Sequence, residues 1–213
     1  MRWIIILLAV CPVLWGGLVE ASMVVKLDTE ALVKTAEVIV MGKVQFQPKP
    51  YQDAKGTILS RVTVAVDQFL KAPQSMQDSK MIELVQLGGT YDGKTLTVAG
   101  MPSFKLSERV ILFLRKNPHT AAYDVVGLAQ GKYEIRTEKL SGRDYIVRDT
   151  SGLTFVSTQK PQTGQQKPVQ EEEKHDHDHG SIEKVYLDDF IREIEAYQNP
   201  EKLGSQMIIQ KKQ

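Results

Sequence analysis

The sequence predicts a mainly β protein: an antiparallel barrel, with a β-sandwich as the alternative, preceded by a short helix and followed by an amphipathic one. Three observations carry this. Apolar, β-branched runs of strand length recur between Val38 and Val147, with Gly, Pro, Asn or Asp between them. No helical period interrupts them once the first helix has ended, which sets aside a strand–helix–strand organisation. From Gln159 the apolar residues nearly vanish, and they return at helical spacing only after Ser181.

The chain opens "MRWIIILLAVCPVLWGGLVEAS". Arg2, the apolar run Trp3 to Val10 and the small-residue site Val19-Glu20-Ala21 read as a secretory signal peptide over residues 1–21, cut after Ala21 and left out of fold reasoning. The expected location is secreted or periplasmic, with no membrane span after cleavage. The alternative is attachment through the N-terminus, either by an uncut signal or by a lipid on Cys11. Pro12, Gly16 and Gly17 interrupt a run already short for spanning a bilayer. Cys11 is the only cysteine, so the mature chain has no disulfide, no thiolate metal site and no cysteine nucleophile. A net charge of +1 without a basic block speaks against nucleic acid as a partner.

Residues 22–158 form the expected barrel domain. In "KLDTEALVKTA" Asp28 is placed to cap a short helix with Leu32, Val33 and Ala36 on its apolar side. "VIVMGKVQF" is a strand whose Gly42 marks a bulge or bend, and "QPKPYQDAKG" reads as a loop. "TILSRVTVAVDQFLKAP" is the clearest strand, with Ser60, Val62, Val64 and Val66 on one face and Arg61, Thr63 and Asp67 on the other. "KMIELVQLGG" is another strand, and Asp92-Gly93 is a hairpin turn. Arg109 to Leu114 is an apolar strand entered round Pro102. "YDVVGLAQGKYEIR" and "RDYIVRD" add at least two more, with Gly127 and Gly131 at a corner. Residues 159–182 read as a flexible linker. Residues 183–199 read as an amphipathic helix with Leu187, Phe190, Ile191 and Ile194 in its stripe, and 200–213 as a tail.

The order of "AEVIVMGKVQ", a long strand ending "FLKAP", then "GGTYDG", "AGMPSFKLSERVILFL" and "VVGLAQGKYEI" resembles an uncharacterised family of secreted bacterial β-domains. More distantly it resembles the OB-like barrel of the netrin and TIMP-like metalloprotease-inhibitor group. The likeness covers about Leu27 to Arg136 and implies an OB-like barrel with a binding role. It also implies another secreted protein as partner, a metalloprotease by analogy of fold alone. In those inhibitors an N-terminal cysteine meets the protease's zinc. Here the expected mature N-terminus is Ser22, so that mechanism does not transfer.

Candidate chemistry is sparse. In "EEEKHDHDHG" the residues His175, Asp176, His177, Asp178 and His179 offer imidazole and carboxylate ligands for Zn, Ni or Cu. The alternation sets the imidazoles on one side of an extended chain but supplies no second shell. A solvated linker with incidental affinity and a metal-capture segment are the two readings of it. His119 is the only other histidine, and Ser103 and Ser107 lie in ordinary loop sequence. Neither G-x-S-x-G nor H-E-x-x-H occurs, so a non-enzymatic protein without a cofactor is expected. "LGGTYDGKT" lacks the helix that a phosphate loop needs. The stripe Leu187, Phe190, Ile191 and Ile194 has two placements, on the protein's own barrel or in a partner's groove.

Overall fold

The computed structural model describes residues 22–118, 120, 122–156 and 184–199; the expected signal peptide, linker and tail lie outside them. The protein is mainly β, with a closed five-stranded barrel and two helices. Strand β1 (Ser22–Val25) leads to helix α1 (Thr29–Thr35). The Asp28 carboxylate accepts from Ala31 N–H at 2.8 Å, satisfying a first-turn donor that no helix carbonyl reaches. Leu32, Val33 and Ala36 are buried. At the other end Lys71 Nζ donates to the carbonyls of Val33 and Ala36 at 2.8 and 2.5 Å, a cation where the last carbonyls lack partners.

The chain continues through β2 (Val38–Val44), β3 (Lys49–Gln52), the long β4 (Ile58–Lys71) and β5 (Met81–Leu87). A small hairpin, β6 (Gly89–Tyr91) and β7 (Lys94–Leu96), turns at Asp92 (φ 48°) and Gly93 (φ 71°), the two positive φ values that a two-residue hairpin of this hand requires. Then follow β8 (Arg109–Lys116), β9 (Tyr123–Val125), β10 (Lys132–Thr137), β11 (Asp144–Val147), β12 (Leu153–Val156), β13 (Val185–Tyr186) and α2 (Leu187–Gln198).

The barrel is the ring β2–β4–β5–β9–β8, closed by pairing of β8 with β2. Counting only its own strands in chain order, the ring reads 1-2-3-5-4-1, the OB arrangement. The antiparallel OB-like barrel expected from the sequence is the one observed, with one parallel seam that its strand number requires. Strand directions cannot alternate all the way round a ring of five, so one neighbouring pair must be parallel. That pair is β5–β9, joined at a single position, Leu84 opposite Tyr123. A second parallel pair, β1–β12, lies outside the barrel.

Strand β8 belongs to two layers. Along one edge it pairs with β2; along the other it pairs first with β10 and then with β9. Val110, Leu112 and Leu114 point into the barrel with Val38, Val40, Val62, Val64, Ile82 and Leu84. Ile111 and Phe113 point outward into a second core with Ile39, Tyr133, Ile135 and the two helices. Burial on both faces is why "VILFL" reads as an unbroken apolar run. The chain crosses from β9 to β10 through Gly127 (φ 66°) and a 3₁₀ turn over Leu128–Gly131, the corner that the two glycines mark.

Two details correct or sharpen the sequence reading. Lys49–Gln52, expected as loop, is a strand paired with β4; Pro50 is compatible because an edge strand need not donate on its outer side. Gly42 does sit at a register shift between β2 and β4. A Cβ there would lie 2.2 Å from the Ala65 carbonyl oxygen, so only glycine lets the strands approach.

Helix α2 covers the second core. Leu187, Phe190 and Ile194 are 8%, 2% and 0% exposed and Ile191 packs beside them. Phe190 packs tilted against Tyr133, with ring centroids 4.6 Å apart, and meets Phe113 edge-on at 6.3 Å. Of the two placements for the stripe, the structure has the one on the protein's own sheet. Leu187, Phe190 and Ile194 are enclosed in that core, and Ile191 is partly buried at its margin.

Candidate functional site

The β5–β9 pair leaves the barrel open along most of its length. Past Leu84 the two strands diverge, and a cleft of about 660 Å³ occupies the gap. Its floor is apolar, with Leu59, Val85, Leu87, Pro102, Val125 and Leu128 contributing. One wall is the β3–β4 hairpin tip and the other the loop from β8 to β9. These are the first-to-second and fourth-to-fifth strand connections of the ring, between which OB barrels generally hold ligands.

Both walls are braced by their own side chains. Asp53 Oδ1 accepts from Lys55 N–H at 2.9 Å and from Thr57 N–H at 2.8 Å, and Gln52 Nε2 donates to Gly56 C=O at 2.8 Å. Opposite, Asn117 Nδ2 lies 2.9 Å from each Asp124 carboxylate oxygen. The Asp53 turn chemistry fixes the first tip, and the Asn117–Asp124 contact ties the two ends of the second loop together at the cleft wall. Gln86 also lines it, and its buried Oε1 has no hydrogen-bond partner among the described residues. Leaving such an acceptor unmet costs about 1–3 kcal/mol.

A second, polar hollow of about 310 Å³ lies on the other side of Met101 and Pro102. Four of its ionisable groups pair with one another, Glu108 with Lys132 and Glu134 with Arg136. Glu108 accepts from Lys132 Nζ in a nearly buried pair, and from Lys105 N–H at 2.9 Å. Arg136 donates to Glu134 at 2.7 Å, which holds the Glu134 carboxyl below the usual carboxylate range. Hydrogen bonds from the Ser151 backbone and hydroxyl do the same for Asp149. Ser103 lines this hollow, while Ser107 sits in the β7–β8 loop with φ 64°. His119 and the segment His175, Asp176, His177, Asp178 and His179 lie outside the described residues. Among the described residues no three His, Cys, Asp or Glu side chains gather in a metal-holding group, and no helix is long and apolar enough to cross a membrane.

The N-terminal segment is locked to the same end of the molecule. Gln130, 1% exposed, receives Leu27 N–H on Oε1 at 2.7 Å and donates Nε2 to Val25 C=O at 3.2 Å. A single amide thus does for residues 25–27 what a neighbouring strand would do. Sequence reasoning missed the cleft because its residues come from four separated stretches and share no motif. The one available signal was the odd number of barrel strands, which demands a parallel seam. No known protein family matches the chain, and no curated protein matches it in sequence.

Proposed function

We propose that the protein is an exported, non-enzymatic binding module that holds its ligand in the cleft along the β5–β9 seam. The observation that carries this is the cleft itself: about 660 Å³, within the roughly 300–1,000 Å³ of ligand sites, apolar-floored and walled by the β3–β4 turn and the β8–β9 connection. Its position between the ring's first-to-second and fourth-to-fifth connections supports the reading by analogy of fold. The non-enzymatic part rests on the sequence, which carries neither a G-x-S-x-G nor an H-E-x-x-H motif.

The test is a fragment screen by two-dimensional NMR on the isotope-labelled protein. Shifts should concentrate on Leu59, Val85, Leu87, Thr120 and Leu128. Hits that gather only in the polar hollow, or nowhere, overturn the proposal. Divalent-metal capture by the His175–His179 segment is the second reading; it rests on the sequence alone, where a solvated linker with incidental affinity is the stronger reading, and a separate titration given below tests it.

A further inference from the structure

Building on the cleft reading, we infer that the ligand is an extended peptide segment that adds as a strand to the free edge of β5 at Val85–Leu87, its acidic side chains directed at Lys55 and Arg115. The ladder register fixes which backbone groups are free. Gly88 N–H donates to Ile58 C=O and Val66 N–H to Lys80 C=O, both at 2.9 Å. In the intervening β4–β5 ladder, the even-numbered residues of β5 therefore turn their backbone groups toward β4 and the odd-numbered residues turn theirs away. The parallel bridge centred on Leu84 engages its neighbours, Glu83 C=O and Val85 N–H. Beyond it no strand follows among the described residues. The Val85 carbonyl and both backbone groups of Leu87 have no backbone partner among the described residues, because β9 ends at Val125 and the chain turns off through Gly127.

These groups border the cleft, and Leu87 is 44% exposed. An unpaired edge is a template for another strand. In strand addition the main chain supplies affinity and flanking pockets supply selectivity. Three edge residues span about 10 Å at roughly 3.3 Å each, a length suited to a peptide stretch of about three to five residues. Charge decides its character. The cleft's acids already have donors: Asp53 holds two backbone N–H groups and Asp124 holds Asn117. Its cations do not. Arg115 stands across from Asp124 in register, yet neither it nor Lys55 forms an ion pair among the described residues. Among the described residues no aromatic side chain lines the cleft, so the stacking platform that single-stranded nucleic acid uses on such barrels is not seen there.

The experiment selects a random octapeptide display library on the full chain. It then measures synthetic versions of the enriched peptides against wild type, Leu87→Pro, Leu87→Ala and Arg115→Ala. The Leu87 N–H is not part of the β4 ladder, so proline is tolerated there as on other edges. The expected result is acidic–apolar peptides that lose at least ten-fold in affinity on Leu87→Pro and only a few-fold on Leu87→Ala. Arg115→Ala should lower both the affinity and its salt dependence. Because Leu87→Pro also tests folding, peptides N-methylated at alternate residues are measured on wild type, where one of the two alternating patterns should abolish binding. Peptides enriched equally on Leu87→Pro, or indifferent to N-methylation, overturn the inference. Fragments in the cleft with no peptide enrichment overturn it and leave the cleft reading standing; absence of both overturns the two together.

Discussion

Truncating Phe190 to alanine asks whether the last helix is an integral part of the fold. The ring is 2% exposed, so its removal forfeits a transfer term of about 1.5–3 kcal/mol. It also ends the contacts with Tyr133 at 4.6 Å and Phe113 at 6.3 Å, aromatic pairs worth about 0.5–1.5 kcal/mol each beyond area. The resulting hole closes poorly. Tyr133 is pinned through its hydroxyl by Arg148 at 3.0 Å, with the guanidinium 5.3 Å from its ring centroid, and Phe113 is held in the central strand. A loss of about 3–5 kcal/mol follows, the usual range for such truncations. Urea unfolding measures it, with Glu195→Ala on the exposed side of the helix as a control expected within about 0.5 kcal/mol. Amide exchange locates the damage: if α2 undocks locally, protection falls over Leu187–Gln198 before the barrel strands lose theirs. A cost below about 1 kcal/mol, with unchanged slope and exchange, would refute the reasoning and return the stripe to the partner-binding placement.

Three further outcomes are expected. Gly42→Ala drives a methyl to within 2.2 Å of the Ala65 carbonyl oxygen and should cost about 1–3 kcal/mol or more. Gly93→Ala, with open space around it but φ +71°, should cost about 1 kcal/mol, and unfolding that ranks them the other way contradicts the bulge assignment. Asp144 is held below the usual range by its hydrogen bonds from Arg109 and Thr137. A lowered folded pKa gives stability that is present above the unfolded value near 3.9 and lost as pH falls through the folded one. The Asp144→Asn variant should therefore show a shallower acid decline in thermal melts between about pH 5 and pH 2, by about 1 kcal/mol at most because Arg109 is well solvated. For the metal reading, calorimetry with zinc and nickel compares the protein with the variant His175→Ala, His177→Ala, His179→Ala. Binding tighter than about 1 μM, or roughly 8 kcal/mol, that vanishes in the variant establishes capture; affinity equal in both removes it.

The parts legible in the sequence were those whose cause is local. Asp28 sits before an amphipathic turn and caps it. The alternation of Ser60, Val62 and Val64 gives β4 its buried face, and Asp92-Gly93 can satisfy two left-handed positions. Non-local pairings left less trace. β1 pairs with β12, about 130 residues further on, and nothing in "SMVV" indicates a partner. β3 was hidden by Pro50, whose meaning depends on whether the strand is an edge. The run "VILFL" announced burial but not that one strand serves two cores. The cleft was the least visible, because its floor uses the same leucines and valines as any core and its unpaired edge depends on where β9 stops.

That edge follows from the topology. A five-membered ring needs one parallel pair, and its members must come from strands that no tight turn can join. β5 and β9 are separated by the β6–β7 hairpin, the Pro102 loop and β8, so a short β9 suffices to close the ring at Leu84 and Tyr123. The chain then leaves the barrel at Gly127 because β10 must continue along the same edge of β8 to build the second core. One edge of β8 therefore carries two successive strands, which leaves the Val85 carbonyl and both backbone groups of Leu87 without a strand partner among the described residues. The helix-covered layer and the open seam thus have the same origin. A variant that lets β9 run on past Val125 in place of the turn at Gly127 should shorten the cleft and loosen α2 together.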